Sequence, residues 1–220
     1  MKDLVNLVPE AFFDFFSYFL PGLFLVLMAA LNINLCTFFP EKATFGTWQV
    51  VLYLVVAYIL GHLLTTVSEL LILRPMNYLL GDPANSLIGI GKAKISRFQA
   101  VLDPSLISNI TDIVTRKFKT NIDQHTFFLC ENYVRASRPD IGFLVRKRHA
   151  FEHLCRNLVV ASIALMILMA HTAWQNQVLL ALVLVVFFIR YLDYRVSWPK
   201  AVFENFYLLT VEDNKQESHG

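Results

Sequence analysis

Two ionisable side chains, His62 and Glu69, lie inside the apolar run Val50 to Leu73, a run long enough to cross a bilayer. Ionisable groups at that depth are costly unless they are paired or wetted. At about 100° per residue, Tyr58, His62, Thr65, Thr66 and Glu69 share one face and form a polar stripe. Such a stripe could relay protons or ions along a water-lined path, or its groups could satisfy one another across a helix interface. Beside it, Ala57 and Gly61 continue to Thr65 as a small-xxx-small series, a packing face for another helix. Arg156 and Arg190 are the ion-pair partners expected for the stripe. Arg190 and Asp193, at i and i+3, could also pair with each other.

A second group is basic. Arg146, Lys147 and Arg148 stand just before an apolar stretch, where cations anchor a span and attract anionic headgroups. The segment Arg148-His149-Ala-Phe-Glu-His153 also resembles the R-polar-x-x-x-H motif of HEPN ribonucleases. In that family a helix-borne arginine and histidine from two subunits meet to cleave RNA. The resemblance covers six residues and implies catalytic roles for Arg148 and His153, with His149 in the variable polar position. It departs from the family in abutting an apolar span.

Other motifs fail on their residues. Gly89-Ile90-Gly91-Lys92 resembles the end of a phosphate loop, but Ser86 stands where the first glycine belongs and Ala93 where Ser or Thr belongs. Cys36, Cys130 and Cys155 are odd in number and lack ligand spacing, so neither a disulfide framework nor a metal site is expected. No cofactor is expected, and nucleic acid is not an expected partner outside the ribonuclease reading.

The elements that position these groups follow from composition. With 56% hydrophobic and 16% charged residues, the chain is too apolar for an ordinary soluble domain. The fold class expected is an all-α integral membrane protein, with four transmembrane helices in two hairpins joined by a small helical cytoplasmic segment. Residues 1–12 read as an interfacial amphipathic helix, 13–74 as the first hairpin, 75–153 as the cytoplasmic segment, 154–195 as the second hairpin and 196–220 as a cytoplasmic tail. No cleavable signal peptide is expected at the start. Pro21-Gly22 should kink the first span, and Arg74-Pro75 should end the second. Trp174-Gln-Asn-Gln177 should connect the third to the fourth, the apolar stretch over 201–211 should lie on the membrane surface or pack against the soluble helices, and the final polar residues, 212–220, should be disordered.

Within the central segment, Asp103-Pro104 marks a helix start. Ile107, Ile110, Val114 and Phe118 recur at helical spacing. A second short helix, over 123–136, would use Phe127, Phe128, Cys130 and Val134 as its apolar packing surface. Ser137-Arg-Pro-Asp140 has capping-box spacing and should open one long helix running into the third span.

Orientation follows from charge. Of 19 Lys and Arg residues, 13 lie from Arg74 to Arg156 and four from Arg190 onward, while Lys42 alone falls in a loop on the opposite side. The positive-inside rule then places both termini and the central segment in the cytoplasm of a multi-pass inner-membrane protein. The function expected is a homo-oligomeric, channel-like or membrane-perturbing effector or sensor, controlled through its cytoplasmic segment by a ligand or cytosolic partner. That architecture resembles the four-span effectors of bacterial anti-phage systems. The alternatives are the membrane-anchored ribonuclease and a membrane scaffold that recruits a cytosolic protein.

Overall fold

The computed structural model describes residues 11–32, 47–89, 102–123, 125–171 and 174–217. The amphipathic helix expected over 1–12 and the loop carrying Lys42 lie almost wholly outside them. Every regular element among the described residues is helical. A first helix opens at Ala11, passes through a π turn (Phe15–Phe19) and continues as α1 (Leu20–Asn32). There follow α2 (Thr47–Ser68), a second π turn (Glu69–Leu73), α3 (Arg74–Leu80), α4 (Pro83–Leu87), α5 (Pro104–Phe118), α6 (Thr126–Ser137), α7 (Pro139–Leu168) and α8 (Trp174–Glu217). Among the described residues, four helical stretches are long and apolar enough to cross a membrane.

The chain divides into two compact units, one of Met1–Leu73 with Ala150–Leu192 and the other of Arg74–His149 with Asp193–Gly220. Helices α7 and α8 each contribute to both.

In the first unit, α7 is the central helix: 61% of its apolar window is buried, against 22% for the window on α2 and 11% for that on α8. Two glycines set how closely the first two helices approach. A Cβ on Gly22 would lie 1.8 Å from the Ala57 carbonyl oxygen, and one on Gly61 1.9 Å from that of Tyr18. Leu165, Met169 and Leu180 pack with Phe24, Leu25 and Met28 at another level of the bundle. There Gln177 Nε2 donates to the Met169 carbonyl at 2.6 Å, satisfying one of the acceptors that a helix end leaves open.

The second unit is built on amphipathic faces. Ile110, Ile113 and Val114 of α5, Phe127, Cys130 and Val134 of α6, and Val202, Phe203, Phe206 and Leu209 of α8 form one core. Asp103 caps α5 by accepting from the Ser105 backbone N–H at 2.8 Å, with Pro104 at the first helical position. Arg138 is extended, as the residue before a proline tends to be, and this separates α6 from α7.

Several expectations are corrected here. The helix does not stop at Arg74-Pro75: the wider π turn over Glu69–Leu73 relieves the clash a proline makes with the carbonyl four residues back, and the chain stays helical to Leu80. Trp174 to Gln177 is the first turn of α8 and not a connection. The final polar residues, expected to be disordered, are helical as far as Glu217 in a helix that runs through Pro199; of the two placements expected for 201–211, packing against the soluble helices is the one observed. Phe128 is 57% exposed, outside that core. Asp140 does not close a capping box; its carboxylate takes both Arg138 Nε and Nη2, at 3.0 and 2.9 Å.

Candidate functional site in the apolar bundle

The polar groups of the first unit gather around Asn157, which is fully buried on α7. The gathering begins with a backbone defect. Pro21 has no N–H to give the carbonyl four residues earlier, that of Ser17, and the turn widens so that the Leu20 N–H reaches back to Phe15. The Ser17 carbonyl instead accepts Asn157 Nδ2 at 2.7 Å. The same amide nitrogen donates to Thr65 Oγ1 at 2.7 Å, and Thr65 in turn donates to the Gly61 carbonyl at 3.1 Å. Because a carbonyl can only accept, the Ser17 contact fixes which way the Asn157 amide faces. One side chain therefore ties together the helices carrying Ser17, Thr65 and Asn157.

Ser68 extends the chain of bonds. Its Oγ lies 2.7 Å from Asn157 Oδ1 and 2.8 Å from the Thr65 carbonyl, the two acceptors open to its single proton, and accepts Arg156 Nε at 3.0 Å. Arg156 is 1% exposed. Its Nη1 lies 3.7 Å from Glu152 and its Nη2 3.9 Å from Glu69, within ion-pair range but beyond hydrogen-bond distance. Arg156 Nη2 also meets His153 Nδ1 at 3.2 Å; since a guanidinium only donates, Nδ1 accepts there. A buried guanidinium held this way is strongly destabilised if a carboxylate partner is removed.

The stripe on α2 divides. Thr65 turns inward and is buried, whereas Tyr58, His62 and Thr66 are exposed and the Glu69 side chain is 49% exposed. His62 is held between aromatic rings, stacked on Tyr18 with centroids 4.1 Å apart and met edge-on by Tyr58 at 4.6 Å. Thr66 donates to the His62 carbonyl at 3.3 Å, so its hydroxyl is satisfied within its own helix. Ala57 and Gly61 are both buried. Ser17, Ser68, Glu152 and Asn157 are the members that sequence reading did not single out. Pro21 four residues after Ser17, and Arg156-Asn157 at the head of an apolar run, were the available signals.

Of the remaining candidates, His153 joins this network through Arg156. Arg190 and Asp193 occupy exposed positions on α8. Arg148 donates to the Ser197 carbonyl at 3.1 Å, Arg146 is half-buried and Lys147 exposed. His153 faces Arg156 and the ring of Phe13, whose centroid is 5.5 Å away.

In sum of chemistry, the bundle holds a directional chain of hydrogen bonds from a buried cation to a bared carbonyl, with a His and a Glu at its exposed margin. Searches of protein-family models, curated proteins and solved structures return no match to this chain, so its function is read from this geometry.

Proposed function

We propose that the chain is a polytopic inner-membrane protein that assembles from several copies and conducts ions along the exposed face of α2. One observation carries this reading. The same helix face bares large apolar side chains, among them Val51, Leu54, Val55, Ile59 and Leu63 at 41–56% exposure, and beside them His62 and the half-exposed Glu69. The apolar part suits hydrocarbon. The polar part does not, because ionisable groups in a membrane face a partner or water and not lipid. A second copy laid against this face shelters the stripe, and a ring of such copies brings one Glu69 per protomer around a common path. Carboxylate rings of that kind favour cations.

The topology that fits the basic residues is two hairpins with both termini and residues 75–153 in the cytoplasm. Helices α7 and α8, continuous between the two units, are the elements through which a cytosolic ligand or partner would control the path. Carbonate extraction of native membranes followed by native mass spectrometry of the detergent-solubilised chain tests the assembly. An integral protein of defined stoichiometry above one is expected. A carbonate-soluble chain, or a strict monomer across detergents, would refute the proposal.

A further inference from the structure

Away from the bundle, one guanidinium is buried without a carboxylate. Arg195, in the second unit, is 4% exposed. Among the described residues its hydrogen bonds run to neutral oxygens: Nη2 donates to Asn77 Oδ1 at 2.7 Å and to the Gly81 carbonyl. Its Nε is covered and, among the described residues, donates to nothing. Trp198, three residues on and so beside it along α8, has a covered indole N–H that likewise bonds nothing. Native interiors seldom leave buried donors unsatisfied, and buried charges are normally paired.

The setting is basic and stiff. Arg148 donates to the Ser197 carbonyl, which brings a second guanidinium to the same stretch of α8. The ring of His149 lies on the Trp198 ring, with centroids 3.8 Å apart and planes 4° from parallel, and Phe127 meets that ring edge-on at 5.0 Å. The indole is thus fixed from two sides, with its one donor idle. Arg195 is also the first residue past the apolar stretch that ends at Tyr194, the level at which lipid headgroups would meet a span.

We propose that Arg195 Nε and Trp198 Nε1, with Arg148 adding charge, form a binding site for one phosphate group. A planar guanidinium beside a second N–H matches neighbouring oxygens of a tetrahedral anion, and the anion supplies the countercharge Arg195 lacks. Both donors are covered by protein, so binding opens the site by side-chain rotation. The phosphate is either the headgroup of an anionic lipid or a soluble phosphate. The lipid source rests on the membrane reading above, whereas the donors do not.

The test uses the full chain, delipidated in dodecyl maltoside. Thermal melting is followed against added phosphatidylglycerol and, separately, against inorganic phosphate with chloride at matched ionic strength. A saturable rise in melting temperature is expected. Trp198→Phe keeps the ring and removes only the N–H, and should weaken the apparent affinity about fivefold. Arg195→Lys keeps the charge but loses the fork, and should weaken it about tenfold or more. A response to phosphatidylglycerol alone assigns the site to lipid, and a response to inorganic phosphate assigns it to a soluble ligand even if the chain proves not to be inserted in membranes. No rise with either addition, or an equal rise in wild type and Trp198→Phe, would overturn the proposal and leave the two donors to buried water.

Discussion

Asn157 satisfies three groups at once, so replacing it should cost more than a typical core substitution. Asn157→Leu leaves the Ser17 carbonyl without its side-chain donor and takes one bond each from Thr65 and Ser68, which keep the Gly61 carbonyl, the Thr65 carbonyl and Arg156 as partners. At about 1–3 kcal/mol for a buried group left unsatisfied, a loss of about 2 kcal/mol is expected by chemical denaturation in detergent. A loss under about 1 kcal/mol would mean that the network contributes little beyond what the apolar replacement restores. Glu131 gives a residue-scale prediction of opposite character in the second unit. Burial pushes its carboxyl up from the ordinary value, against the pull of Arg135 and Arg146. A raised folded value stabilises the protonated form, so this contribution is present below about pH 4.5 and is lost as pH rises through the folded value. Glu131→Gln should therefore flatten the fall in melting temperature above about pH 4.5 and leave the variant more stable than wild type at pH 7. Asp213, held below the ordinary carboxylate range by the Tyr133 hydroxyl and Lys117, acts in the other direction and only at lower pH, so the two effects separate along the pH axis. His62 and Glu69 were legible as anomalies because they interrupt an apolar run. Asn157 was not, since one amide next to Arg156 reads as a span boundary until the Ser17 carbonyl is seen to need a donor.

At the scale of elements, the close approach of the first two helices rests on absent side chains. The Cβ added by Gly61→Ala would meet backbone, the Tyr18 carbonyl at 1.9 Å, and backbone cannot swing aside as a side chain can. A cost near the upper end of the range of about 1–3 kcal/mol for overpacking is expected. Gly142→Ala, whose Cβ would stop 3.0 Å from Arg135 Cα, should cost clearly less in the same denaturation assay. Equal losses would argue against packing distance as the cause. The elements differed in how plainly the sequence announced them. Asp103-Pro104 and the periodicity of α5 were readable because cap and apolar spacing are local properties. The passage of a helix through Pro75 and Pro199 was not, because proline reads as a breaker and the π turn over Glu69–Leu73 that accommodates Pro75 has no mark in residue type or spacing. The role of residues 202–209 was legible only as one of two options: α5 and α6 are too short to bury much by themselves, and the apolar surface that completes their core, arriving some 90 residues after Ile110, suits a membrane surface as well as a helix pair until the packing is seen.

For the whole molecule, the account turns on what covers the outer face of α2. Composition was enough to announce four apolar helices, because solvent preference is a bulk property of the chain. Which residues of the stripe face inward required the packing of the first helix and α7, and the answer, Thr65 inward with Tyr58, His62, Thr66 and Glu69 outward, is the observation on which the proposed second copy rests. The most direct measurement is potassium flux from liposomes reconstituted with equal inserted amounts of wild type, His62→Leu and Glu69→Leu. The account predicts flux through the wild type and a fall of about tenfold or more in each variant, without loss of insertion or assembly. Flux unchanged in both variants, or none from an inserted wild-type oligomer, would contradict it.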